Sequence, residues 1–236
     1  MRIHTVLAGL LALLLAQATS AQVSVSRSVI NFKAGEQIQD FDVLNTADHK
    51  IWLSLQASEI IDPTSATSRK VELNDPRTAD VLVTPSRLLL PPGQQKRIRV
   101  IMRNPAGEKE RIFRLAVLPH TGRISLADNA PAQLSGGIKV LLGYELLLIS
   151  RPENPTPEIQ ARRRDDSVEF INTGNTNVML QRISQCFAVT GDCLELPTKR
   201  LYPGESLTVA IDPQSVTPWA IETVQADGDG VKTVVY

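Results

Sequence analysis

Aromatic side chains are scarce here: five Phe, three Tyr and two Trp in 236 residues. A carbohydrate-binding sandwich presents clustered Trp or Tyr platforms, and Trp52 and Trp219 stand apart from other aromatics. Trp52 lies in an alternating apolar run, which predicts a core position. Histidine is scarcer still, at three. His4 falls in the leader described below, His49 in a polar turn and His120 at a strand end. The last two read as surface residues rather than as bases. The chain lacks a Gly-x-Ser-x-Gly elbow, a His-Glu-x-x-His pair and a glycine-rich phosphate loop. No metal-ligand spacing is present either. An enzyme is therefore not expected, nor a metal, a cofactor or a small-molecule substrate. Net charge is also missing, because 25 basic and 25 acidic residues cancel. Nucleic-acid binding rests on a basic surface, so it is excluded. The one arginine run, Arg162-Arg163-Arg164, is followed at once by Asp165 and Asp166, as in a solvated hairpin turn.

Only two cysteines occur, Cys186 and Cys193. Their spacing is not Cys-x-x-Cys, and no histidine lies near them, so redox and metal roles are disfavoured. Residues 1–21 read as a secretory leader. Arg2 precedes the apolar run Val6–Leu15, and small residues follow up to Ala21. That run is shorter than the ~20 residues a membrane span needs. Behind such a leader the cysteines are most simply one disulfide in an oxidising compartment. On the chain-entropy model so short a loop contributes roughly 2–3 kcal/mol. Cleavage after Ala21 leaves 236 − 21 = 215 residues, room for two domains of about 100 each.

What the chain does have is β-strand signal and internal echo. Gly137 to Pro152 is a long apolar run without proline until its end, more than twice a typical strand of about 5–6 residues. Strand parity sets Ile138, Val140, Leu142 and Tyr144 on one face. A polar segment precedes the run, and the Pro-rich hinge 151–157 follows it. Two echoes flank that hinge. Leu44-Asn-Thr resembles Ile171-Asn-Thr, each an apolar residue, a polar turn and a renewed alternation. Likewise 87–100 resembles 199–209, each strand, Pro-Gly turn, strand. Short strands punctuated by Gly, Pro and Asn predict an all-β chain of two similar sandwiches. Predicted strands are 23–32, 41–44, 51–57, 81–84, 87–90, 97–102 and 111–118, then the long one. Beyond the hinge they are 158–162, 168–171, 178–184, 207–211 and 231–236. Asp227-Gly-Asp-Gly230 reads as a hairpin turn, since the twelve-residue calcium loop is absent. The long strand, with its spare edge and apolar row, is read as meant for another chain.

Thr84-Pro-Ser-Arg-Leu-Leu-Leu-Pro91, Pro105-Ala-Gly-Glu-Lys-Glu-Arg111 and Asn172-Thr-Gly-Asn175, with the long strand ending in Arg151-Pro152, have a familiar order. With these motifs and the cysteine pair, the mature chain resembles the periplasmic chaperones of chaperone–usher pilus assembly. Its likeness is to their alternate-type branch, which serves the common pilus of enterobacteria. The resemblance implies two immunoglobulin-like β-sandwich domains in an L-shaped arrangement. An N-terminal domain would cover 22–152, with a donor strand at 137–152. A C-terminal domain would cover 153–236, with a Cys186–Cys193 disulfide. It implies a periplasmic location, pilin or fimbrial subunits as partners, and an outer-membrane usher as recipient. The donor strand would complete a subunit fold that lacks its last strand. Burying Ile138, Val140 and Leu142 at about 1.5–3 kcal/mol each would yield roughly 5–9 kcal/mol before ordering costs. A basic pair is expected to hold the subunit's C-terminal carboxylate. Arg27, in the first strand, is carried over as one member. The usual lysine position falls on Leu147, so the anchor is either a single arginine with backbone amides or takes its second charge from another residue. Thr84-Pro85 occupies a position that is often cis in that family.

A second reading is structural: a pilin or adhesin-type subunit of two such domains. The alternation of Val23, Val25 and Val29 suits a donor arm, but the long strand would then already complete the first domain. An exposed apolar row also gives the free chaperone a reason to cap itself as a homodimer.

Overall fold

In this computed structural model the described residues are 22–64, 66–120, 141–186, 190–211, 220–226 and 230–235. The expected leader, Ile138 and Val140 lie outside them. Every regular element among the described residues is a strand. Ten precede Arg151: β1 (Val23–Val25), β2 (Val29–Phe32), β3 (Ile38–Asn45), β4 (Ile51–Ile61), β5 (Arg69–Glu72), β6 (Val81–Thr84), β7 (Arg87–Leu90), β8 (Gln95–Met102), β9 (Arg111–His120) and β10 (Tyr144–Ser150). Eight follow it: β11 (Ile159–Arg163), β12 (Ser167–Asn172), β13 (Val178–Cys186), β14 (Cys193–Leu196), β15 (Lys199–Leu201), β16 (Ser206–Ala210), β17 (Ala220–Ala226) and β18 (Val231–Val235).

The first ten strands form two sheets. One has the order β1-β3-β8-β6; the other runs β2-β10-β9-β4-β5, with β7 also on β4. Alternating residues from both sheets meet in one core, including Phe41 and Ile98 from the first and Leu53, Phe113 and Leu148 from the second. Beyond the hinge, β11-β12-β16 faces β14-β13-β17-β18, with β15 also on β13. Their core holds Phe170, Leu180, Ile183 and Leu201. The chain is thus all-β, with one sandwich on each side of the hinge. Cys193 is disulfide-bonded and neither cysteine is free, and Cys186 is its partner in the β13–β14 register. The Thr84-Pro85 bond is cis.

The internal echo has a physical cause. Asn45 is fully buried. Its side-chain amide donates to the carbonyls of His49 and Leu90, both at 2.8 Å, and its Oδ1 accepts from the Ala47 N–H at 2.9 Å. Asn172, equally buried, donates to the carbonyls of Thr176 and Leu201, both at 2.9 Å, and accepts from the Gly174 N–H at 3.0 Å. Each asparagine therefore fastens its own turn to the strand that enters the Pro-Gly turn. Gly93 and Gly204 sit at φ 68° and 81° in those turns. Their N–H groups donate to the main-chain carbonyls of Asn45 and Asn172, at 3.0 and 2.9 Å. A residue with a Cβ is strained at such φ.

Three expectations need correction. Trp52 is 53% exposed, not core. Ile51, Leu53, Leu55 and Ala57 point inward, which turns Trp52 and Gln56 outward. Arg27 is not in a strand but in the link between β1 and β2, where the chain passes from one sheet to the other. The described part of the long strand is β10 alone, seven residues beginning at Tyr144. Its unbroken apolar run has another explanation than length. Leu146 and Leu148 face the first core, whereas Leu147 and Ile149 face a separate cluster. A strand covered on both faces does not alternate. Strands β5, β14 and β17 lie outside the strands that the sequence predicts. β5, Arg-Lys-Val-Glu, is exposed throughout and lies at a sheet edge beside β4.

Candidate functional site

β10 is held unequally on its two sides. Along one side β9 pairs with all seven residues, Tyr144 to Ser150. Along the other, β2 runs parallel only from Leu147 to Ser150. Tyr144–Leu146 therefore has an open edge among the described residues. The Leu147 N–H bonds the Ser28 carbonyl at 2.9 Å, and the Arg151 N–H bonds Phe32 at 3.0 Å. Main-chain groups of odd-numbered residues thus point to the β2 side. By the same alternation the N–H and C=O of Glu145 aim at the open edge. Just before it, Leu142 is 55% exposed and outside the strand, and Tyr144 is partly buried against the first core. The Glu145 side chain meets Lys70 of β5 at 2.6 Å on the exposed surface, a contact of little energetic weight.

The outer face of β10 is covered. Ile112, Leu147 and Ile149 cluster with Val29, Ile60 and Tyr202, the last from the second sandwich. Polar groups beside this cluster bind the two sandwiches together. Arg151 and Glu110 are 5% and 4% exposed, with 3.8 Å between their charged atoms. Arg151 donates to Thr176 Oγ1 at 2.5 Å, the Asn177 carbonyl at 2.9 Å and Asn31 Oδ1 at 3.1 Å. Glu110 Oε2 accepts from the Asn177 main chain at 2.8 Å, its side chain at 2.7 Å and the Thr176 hydroxyl at 3.0 Å. Burying this pair is tolerable because the Arg151 terminal nitrogens and Glu110 Oε2 are hydrogen-bonded, while Glu110 Oε1 is buried with no hydrogen-bond partner among the described residues. The hinge is pinned too: Asn175 Oδ1 accepts from the Thr156 N–H at 2.7 Å. A Cβ on Gly174 would stand 2.0 Å from the Thr156 carbonyl oxygen, so the hinge passes where only glycine fits. A cleft of about 390 Å³ opens beside the junction, between Asp62, Lys109, Ile112, Asn175 and Tyr202.

The sequence-selected residues divide among these features. Leu142 and Tyr144 lead into the open edge, while Ile138 and Val140 lie outside the described residues. Arg27 is exposed, and its guanidinium donates to Gln39 Oε1 on β3 at 2.9 Å. Two arginines that were not selected stand at the junction instead. Arg114 on β9 is the register partner of Leu147. Arg200 on β15 donates to Asn177 Oδ1. Burial, and then the field of Arg114, hold the Arg200 guanidinium below its ordinary value, against the opposing pull of Tyr202 and Glu110. Burial pushes the Tyr202 phenol up, although both arginines draw it down. The parity of β9 places Arg114 outward, opposite Phe113 and Leu115. Only the β9–β10 register places it against Leu147.

A Ser–His contact also emerges, with Ser54 Oγ 2.5 Å from His120 Nε2 across β4 and β9. Among the described residues no carboxylate supports the far side of that imidazole, and Ser54 is buried. It reads as a cross-strand bond.

No protein-family model matches this chain, and no curated protein matches it either. Solved structures do. The class 5 fimbriae chaperone CfaA is similar with a TM-score of 0.61 at 18% identity, over 91% of this chain and 97% of that one. The Escherichia coli chaperone DraB gives 0.58 at 13% identity, over 91% and 96%. A chain in the complex of the Salmonella enterica SafA pilin with the SafB chaperone gives 0.58 at 15%, over 93% and 98%. The fold is therefore that of the two-sandwich fimbrial chaperones, along nearly the full length of both chains.

Proposed function

We propose that this chain is a non-enzymatic periplasmic chaperone of pilus assembly. It binds pilin or fimbrial subunits by donating a strand to their unfinished sandwich and passes them to an outer-membrane usher. The observation that carries the reading is the half-paired β10. It offers main-chain groups at Tyr144–Leu146 beside the exposed Leu142. An open edge next to apolar side chains is what strand addition uses. SafB is described in complex with the SafA pilin, and CsuC with the tip subunit CsuE, on the same fold. The reading divides the chain into a leader at 1–21, a donor domain at 22–152 and a second domain at 153–236. In it the donor row is Ile138, Val140, Leu142 and Tyr144.

The test is co-expression with a fimbrial subunit, with Leu142→Asp as the disruptive variant. The expected outcome is co-purification with the parent chain and loss of the subunit with the variant, while the variant remains folded. Equal recovery of the subunit with both would remove the donor row from the site. Polymerisation of the chain alone would instead favour the structural-subunit reading.

A further inference from the structure

We propose that a notch in the edge of β4 is a binding site for one extended residue of a peptide, apart from the open edge of β10. The side of β4 away from β9 carries two strands with a gap between them. β7 pairs with Ile51–Ser54, and β5 pairs with Ser58–Ile61. Each pairing runs on by a single bond. The Leu55 N–H donates to the Ser86 carbonyl at 2.8 Å, and the Leu73 N–H donates to the Ala57 carbonyl at 3.0 Å. Such pairs in an antiparallel ladder exchange two bonds. Among the described residues the return bonds, Ser86 N–H to Leu55 and Ala57 N–H to Leu73, are not formed. The reason lies in the chain path. Ser86 is entered from β6, which belongs to the other sheet, and Leu73 leads into the turn at Asp75. Both segments peel away from β4.

A cavity of about 230 Å³ occupies the gap. Ala57, Ala79 and Val81 are its buried wall, and Asn74, Ser86 and Arg87 its exposed rim. Four main-chain groups are left open there, in the order Ser86 N–H, Leu55 C=O, Ala57 N–H and Leu73 C=O. Buried main-chain groups are rarely without a partner, so the notch is filled in solution. The order donor, acceptor, donor, acceptor selects what fills it. One residue of a peptide, taken with the peptide group on each side, carries C=O, N–H, C=O and N–H in turn. That is the complementary order. In a parallel ladder the central N–H and C=O of such a residue bond groups two residues apart on the neighbouring strand, as Leu55 C=O and Ala57 N–H are. The apolar wall favours a small side chain such as alanine. The sheet order β10-β9-β4 puts this notch and the open edge of β10 on opposite sides of the sheet's centre. The two sites therefore do not compete, and this one does not depend on the chaperone reading.

The probe is N-acetylalanine N-methylamide, titrated into the full chain and followed by amide NMR. Binding of roughly millimolar affinity is expected, with the largest shifts at the Ala57 and Ser86 N–H groups. N-acetylproline N-methylamide lacks the central N–H and should bind at least about fivefold more weakly. Ala79→Met, with folding checked by circular dichroism, should fill the cavity and abolish the shifts; the proline probe carries the test alone should that variant not fold. Trialanine with charged ends separates two sources of such a residue. Binding equal to that of the blocked probe would assign the notch to free peptides, and weaker binding to a loop of a larger protein. Equal shifts with the alanine and proline probes, or none at Ala57 and Ser86, would mean that the notch holds water only and would overturn the site.

Discussion

Asn45 and Asn172 are single residues that each organise a turn. Each supplies two donated bonds and one accepted bond in a buried setting. Replacing Asn172 by Ala leaves the Thr176 and Leu201 carbonyls without their donor. At about 1–3 kcal/mol per unsatisfied buried group, the loss of both should be about 2–6 kcal/mol in urea unfolding. Asn45→Ala should cost a similar amount in the first sandwich. A loss below about 0.5 kcal/mol for either would mean that the turns stand without their asparagines. These residues were legible in the sequence because a turn repeats its local pattern, Asn-Thr followed by polar residues. Trp52 was not. Alternation shows that Trp52 and Leu53 face opposite ways, but it does not say which way is in. Arg114 was hidden for a related reason: an outward arginine gains meaning only when the neighbouring strand and the second sandwich are placed around it.

At the scale of the element, β10 joins what was legible to what was not. Its existence and its end at Arg151-Pro152 followed from composition and proline. Its two-faced burial did not, because an apolar run reads the same whether it awaits a partner or is covered by its own chain. The structure separates these cases within a few residues. Leu142 is exposed, whereas Leu148 is fully buried in the first core. Leu142→Asp should therefore change stability by no more than about 0.5 kcal/mol, as surface substitutions do. Leu148→Asp buries an unpaired charge and should abolish folding. Thermal melts of the two variants check this; a large loss for Leu142→Asp would mean that this residue belongs to the chain's own core. β5 shows the opposite limit. Its charged, exposed residues carry no strand pattern, and pairing with β4 overrides their weak propensity.

At the scale of the molecule, the two sandwiches are joined by more than a hinge. Tyr202 sits in an apolar cluster of the first sandwich, and the Glu110–Arg151 pair is filled by Thr176 and Asn177 of the second. This junction borders the strand whose edge is open, so a partner added along β10 would reach both sandwiches. The echo across the hinge announced two like units, but none of the contacts between them, because those depend on packing rather than on period.

The most direct test of that arrangement is amide hydrogen exchange at Glu145, whose N–H faces the open side of β10. On addition of a fimbrial subunit lacking its last strand, this N–H should become strongly protected, while the already paired Leu147 changes little. Unchanged exchange at Glu145 in a complex that demonstrably forms would place the subunit elsewhere and contradict the account.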